Sequence, residues 1–291
     1  MTSDATAAVD PREMWRAYEP VHAVVYFAPE SREEYAGAGL KGSWMGYFAS
    51  RSAPMGAVGS EAVVATFHNF RPQMVRRAIP DAWSFSDPER VLAARLRVAD
   101  VALHRLLGEA AEGPEIEEAA ELAQRAVAAA ATELGGRPLF AAHAALPVPE
   151  EPLLSLWHAC GALREHRFDG HVAMLTGYGV GGLEALILHA GSGGTPREIL
   201  QPSRGWTDEE WSAAEDALRQ RGFLDAEGDL TERGLSLHDA VERRTDDLAR
   251  TPLEALGHDL VRLHALLVPL SARIAAGGGI PPVSPLGLRV G

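Results

Sequence analysis

Eight consecutive residues, Arg164-Glu165-His166-Arg167-Phe168-Asp169-Gly170-His171, gather two histidines, two arginines and two carboxylates. Imidazoles that titrate near neutrality are common proton carriers, a neighbouring carboxylate fixes their orientation, and guanidinium forks hold anions. The segment therefore offers His166 and His171 as catalytic acid or base and Asp169 and Glu165 as orienting groups. Arg164 and Arg167 are candidate ligand-holding groups. The same residues also suit a buried polar network pinning two helices together. The histidines stand five apart across an expected helix break, one helix ending near His166 and the next running over 169–178. They are therefore not the i,i+4 pair of a helical metal site, and the segment does not match H-E-x-x-H.

A second constellation lies near the N-terminus. His22 and Tyr26 share a helix face, as do Tyr47 and Arg51, with Trp44 one turn earlier. This places an aromatic cleft and a guanidinium on one face, with His22 and Tyr26 opposite. Apolar walls with few polar groups are what small-molecule pockets are made of, so an aromatic or carboxylate-bearing ligand is expected. An ordinary aromatic core with Arg51 paired at its rim is the plainer alternative. His68-Asn69-Phe70 borders the same region, while Arg71, Arg76 and Arg77 suit a solvated face. The run GYGVGG at 177–182 lacks the Lys-Ser/Thr and preceding strand of a phosphate loop. Cys160, the single cysteine, sits in an apolar helical stretch, where a buried inert thiol is expected. No cofactor motif and no nucleophile elbow is present.

Pro11, Asp87-Pro88-Glu89 and Gly113-Pro114-Glu115 open helices, because proline at the first helical position loses no hydrogen bond. Leu146-Pro147-Val148-Pro149 reads as a linker. It divides the chain into a helical unit at 11–146, a second unit at 150–276 and a Gly/Pro-rich tail at 277–291, extended over the body or disordered. From Gly205 to Ala249 the order reads helix, two short strands, helix. Thr207 and Glu210 form a capping box; Phe223-Leu224 and Asp229-Leu230 pair across Glu227-Gly228.

The 291 residues carry 40 acids and 27 bases, a net charge of −13, which disfavours nucleic acid or an anionic membrane as the default partner. Only Lys41 among the bases is lysine, so arginine abundance follows coding bias rather than function. Residues 41–107 hold nine bases and five acids, a modest basic bias that suits an anionic small molecule. Between Asp208 and Arg221 sit five acids and two arginines. A helix that enters DNA approaches phosphates and needs the reverse balance. No signal peptide opens the chain and no apolar run reaches membrane-spanning length, so a cytoplasmic protein is expected.

The segments EPVHAVVYFAPE, WMGYFASRSAPMG, DAW, GRPL, LREHRFDGH, SRGWTDEEW and SPLGL together resemble an actinobacterial family of SalK-like helix-turn-helix proteins. The chain departs from that pattern at Phe168, where glycine is usual, and at His68, where tyrosine is. The resemblance implies a mostly α-helical fold: a helical N-terminal domain that allows a degenerate winged helix, then a MarR-like winged helix with a small β-wing. It carries over no catalytic residue. The expected function is a small-molecule-binding protein, an enzyme of specialised metabolism using His/Asp/Arg acid–base and anion-holding groups. A ligand-responsive, homodimeric MarR-like regulator is the alternative. A haem or metal protein using His166 or His171 and a DNA glycosylase built on tandem winged helices are further readings.

Overall fold

The computed structural model describes residues 9–288. Their helices are α1 (Pro11–Phe27), α2 (Glu30–Gly37), α3 (Gly42–Ser52), α4 (Ser60–Phe67), α5 (Pro72–Arg76), α6 (Ala82–Phe85), α7 (Pro88–Leu107) and α8 (Pro114–Ala130). There follow α9 (Pro138–Ala144), α10 (Pro152–Gly177), α11 (Gly182–Gly191), α12 (Arg197–Arg204), α13 (Asp208–Gln220), α14 (Glu232–Leu248), α15 (Thr251–Glu254) and α16 (Asp259–Ala276). The chain is mostly helical, and the described residues contain no strand. The starts expected at Pro11, Pro88 and Pro114 are observed. Asp10 caps α1 and Asp87 caps α7 through side-chain oxygens that accept otherwise unbonded backbone N–H groups.

Two apolar clusters organise the body. The larger joins α1, α3, α7, α8, the first half of α10 and α16; the smaller runs from Leu175 to Val241 and centres on Trp211 and Leu218. Helix α10 belongs to both. Leu153, Leu156 and Leu163 are in the first cluster and Leu175 is in the second.

Two expectations are corrected. The break between His166 and Asp169 does not exist, since α10 is one helix of 26 residues. Gly170 is there for close packing: a Cβ on it would stand 3.1 Å from Arg137 Nη1 and 3.3 Å from Leu248 Cβ. The β-wing contracts to a single antiparallel bridge between Leu224 and Leu230. One Asp225 carboxylate oxygen accepts from the N–H groups of Glu227, Gly228 and Asp229 at 2.9–3.0 Å. This side chain ties the turn locally, and only a residue or two on each side remains to pair. The Thr207–Glu210 capping box is observed.

The tail lies over the body as far as Leu288. Ile280, Ser284 and Leu288 are buried, and the Ser284 and Pro285 carbonyls accept from Thr195 Oγ1 and Arg204 Nη2 at 2.9 and 2.8 Å. Residues 289–291 of the expected tail are outside the described residues. Among the described residues no single helix is long and apolar enough to cross a membrane.

Candidate functional site

The uninterrupted course of α10 decides which side chains meet. Arg164, Arg167, Phe168, His171, Val172 and Leu175 recur at helical spacing and line one cavity of about 410 Å³. Arg12, Trp15 and Glu19 of α1 join from one side, Tyr47 and Arg51 of α3 and Phe70 from another. Leu186 of α11, Leu200 and Arg204 of α12, Val241 of α14 and the tail residues Pro285–Gly287 complete the wall. The cavity thus lies where the two apolar clusters meet.

Its charged groups are largely paired. Glu165, fully buried, receives Arg51 Nε and Nη2 at 2.9 and 2.8 Å and Arg164 Nη1 at 2.9 Å. Burial raises its carboxyl, but Arg164 and Arg51 more than offset this and hold it well below the usual range. Glu19 accepts from Arg164 Nε at 3.3 Å and from Trp15 Nε1 at 3.0 Å, and burial raises its carboxyl. Arg167 pairs with Asp246 at 2.7 Å; Arg12 reaches both Asp246 and Glu242, at 2.8 and 3.0 Å. Aromatic faces supplement these pairs. The Arg51 guanidinium lies 4.3 Å from the Phe67 ring centroid and 4.4 Å from that of Phe168.

Arg204 differs. It is 6% exposed and has no carboxylate partner among the described residues. Its Nη2 donates to the Pro285 carbonyl, its Nη1 to the Ser203 carbonyl and hydroxyl, and its Nε has no hydrogen-bond partner. Burial, with Arg51 and Arg164 nearby, lowers this guanidinium from its ordinary value to about 10. It sits 4.6 Å over the Phe70 ring.

At the other end stand His171, His189 and His238, with His68 also on the wall. Thr245 Oγ1 donates to the Val241 carbonyl at 2.8 Å, so at 3.0 Å it accepts from His171 Nδ1, leaving the lone pair on Nε2. Glu242 Oε1 lies 3.8 Å from the same Nδ1. Burial pushes His171 down to about 4, with Glu242 opposing and Arg167 reinforcing, so the ring is neutral at pH 7.

Of the residues singled out in the sequence, Tyr47, Arg51, Arg164, Arg167 and His171 line this cavity, and Glu165 pairs with two of them. His22, Tyr26, Trp44, His166 and Asp169 are not on its wall. His166 and Asp169 are on the α9 side of α10. Asp169 accepts from Phe140 N at 2.9 Å, burial pushing its carboxyl up to about 7; the His166 ring meets Phe140 edge-on at 4.9 Å, burial lowering it to about 3. His22 and Tyr26 bond each other at 2.9 Å, and Tyr26 packs behind Tyr47 at 5.1 Å between centroids. Trp44, 43% exposed, packs edge-on against Tyr47 outside the lining. His68 and Phe168, the two departures from the family pattern, are both on the wall. Sequence reasoning missed Arg204, His189 and His238; the only signal for Arg204 was its place in SRGWTDEEW. No group of three or more His, Cys, Asp or Glu among the described residues is arranged to hold a metal ion.

No curated protein and no solved structure matches the chain. A family model described as "Helix-turn-helix family" matches residues 11–281, from the first turn of α1 past the end of α16, and the chain belongs to that family.

Proposed function

We propose that this helix-turn-helix protein binds a small organic anion in the cavity between its two apolar clusters. One observation carries the reading: a buried guanidinium, Arg204, lines a cavity of about 410 Å³ and lacks a carboxylate partner among the described residues. Small-molecule sites are concave, mostly apolar and furnished with a few convergent polar groups; Leu175, Leu186, Leu200, Phe70 and Phe168 supply the apolar part. Glu165 positions Arg51 and Arg164, while His166 and Asp169 fasten α9 to α10. His171, neutral and with Nε2 free to accept, is the group suited to take a proton, so acid–base turnover is the finer form of the proposal. Thermal-shift screening of small organic anions against the wild type and Val172→Trp, which puts an indole into the cavity, tests it. Stabilisation of the wild type alone supports it; equal stabilisation of both rejects it.

Family membership and the cavity's position favour a second reading, a ligand-responsive regulator on a MarR-like scaffold. A ligand seated between two clusters that share α10 biases their arrangement if it contacts one arrangement better. The charge of α13 argues against DNA contact through that helix. Its acids already engage Arg71, Arg197 and Arg219, leaving no excess of cations to replace counterions. Fluorescence anisotropy with duplex DNA over a salt series separates the readings. Sequence-selective, ligand-sensitive binding supports the regulator, and affinity no better than that of any acidic protein removes it.

A further inference from the structure

We infer that the ligand is a singly charged organic acid whose carboxylate is held by Arg204 and whose apolar body lies on Phe70, Leu200 and Leu186. The inference rests on the cavity reading above and adds the ligand's charge, its anchoring residue and its orientation.

The arginine pairing leads to this assignment. Arg51 and Arg164 are met by Glu165 and Glu19; Arg12 and Arg167 are met by Glu242 and Asp246. Arg16, also on the wall, is exposed and solvated. Of the arginines on this wall, Arg204 alone is both buried and, among the described residues, without a carboxylate partner. A buried charge is tolerated when it is paired, and the unfilled pairing here amounts to one negative charge. A phosphate monoester brings nearly two; a carboxylate brings one. The Nη groups of Arg204 meet only neutral acceptors, the Pro285 and Ser203 carbonyls and the Ser203 hydroxyl, and charge-assisted bonds from a guanidinium to a carboxylate are among the stronger ones available. The Phe70 face lies 4.6 Å from the guanidinium, and Leu186 and Leu200 are on the same wall, so the remainder of the molecule is apolar. A polar edge on that remainder would find the Nε2 lone pair of His171 as an acceptor.

The experiment uses the full chain and three shape-matched probes: benzoate, uncharged benzamide and the dianion phenyl phosphate, titrated by calorimetry at pH 7.5. Benzoate is expected to bind at least about tenfold more tightly than either of the others, a difference of about 1.4 kcal/mol. Arg204→Gln is expected to remove that preference, with Arg204→Lys intermediate because it keeps the charge and loses the fork. Arg76→Gln, an exposed arginine away from the wall, is expected to leave it unchanged. Circular dichroism establishes that each variant is folded, and Arg204→Met replaces any that is not. Benzamide equal to benzoate, phenyl phosphate tighter than benzoate, no binding by benzoate, or an undiminished preference in Arg204→Gln each overturns the assignment. If all binding probes are lost in Val172→Trp while benzamide equals benzoate, the charge assignment fails and the cavity reading stands. Binding that survives Val172→Trp overturns the cavity reading itself.

Discussion

Replacing Arg204 with methionine tests whether this group is held in the fold for a ligand rather than for stability. Its surroundings lower the guanidinium from its ordinary value to about 10. At about 1.36 kcal/mol per pH unit, keeping the charge buried costs the folded state roughly 3 kcal/mol. Sign matters here: a cation whose folded value is depressed destabilises the fold at every pH below that value, so the penalty is fully present at pH 7. Against it stand the bond to the Pro285 carbonyl at 2.8 Å and the stacking on Phe70. A charged hydrogen bond contributes about 1.5 kcal/mol or more, and the cation–π contact about 1 kcal/mol. Methionine keeps most of the side-chain volume and removes the charge. The ligand-free variant is therefore expected to be as stable as the wild type, or more stable by about 1 kcal/mol, a rise in Tm of roughly 2 °C. Urea denaturation followed by circular dichroism, with unchanged m values, measures this. A loss above about 2 kcal/mol would show that Arg204 is a satisfied structural residue, and the argument for a missing anion would fall.

Three further outcomes follow from the geometry. Glu165→Gln leaves Arg51 and Arg164 short of a buried counter-charge and is expected to lower stability by about 3–5 kcal/mol in the same denaturation assay, the opposite of Arg204→Met. Asp169, pushed from 3.8 to about 7 by burial, stabilises the fold while protonated, and that contribution fades as pH rises from about 4 to 7. Wild type should therefore gain on Asp169→Asn as pH falls across that window; a stability difference that does not change with pH would refute the buried-carboxyl assignment. Gly182→Ala would drive a Cβ into the His68 carbonyl oxygen, so a loss of about 1–3 kcal/mol is expected with a disturbed His68 wall, and a neutral Tm would contradict the packing.

The helical boundaries were legible because they rest on local chemistry. Asp10, Asp87 and Thr207 each supply a side-chain oxygen to the N–H groups of the next turn. The break expected between His166 and Asp169 was a misreading of a charged run in which Gly170 stands for the sake of the distant Arg137 and Leu248. That misreading also hid the α10 stripe that sets Arg164, Arg167 and His171 on one wall while turning His166 and Asp169 toward α9. The wing was overread because pairing strength depends on strand length, and here the Asp225 side chain, not a ladder, shapes the turn. Arg204 was illegible for another reason. Its character comes from what it lacks, a carboxylate, and no local pattern reports which residues will fail to meet.

The most direct test of the anion site is a crystal structure grown with 4-bromobenzoate and measured at the bromine edge. The expected result is one anomalous peak inside the cavity, among Phe70, Leu186 and Leu200, with the carboxylate against the Arg204 guanidinium. A peak elsewhere, or a cavity closed over Arg204 with the bromine absent at a concentration saturating in solution, would contradict it.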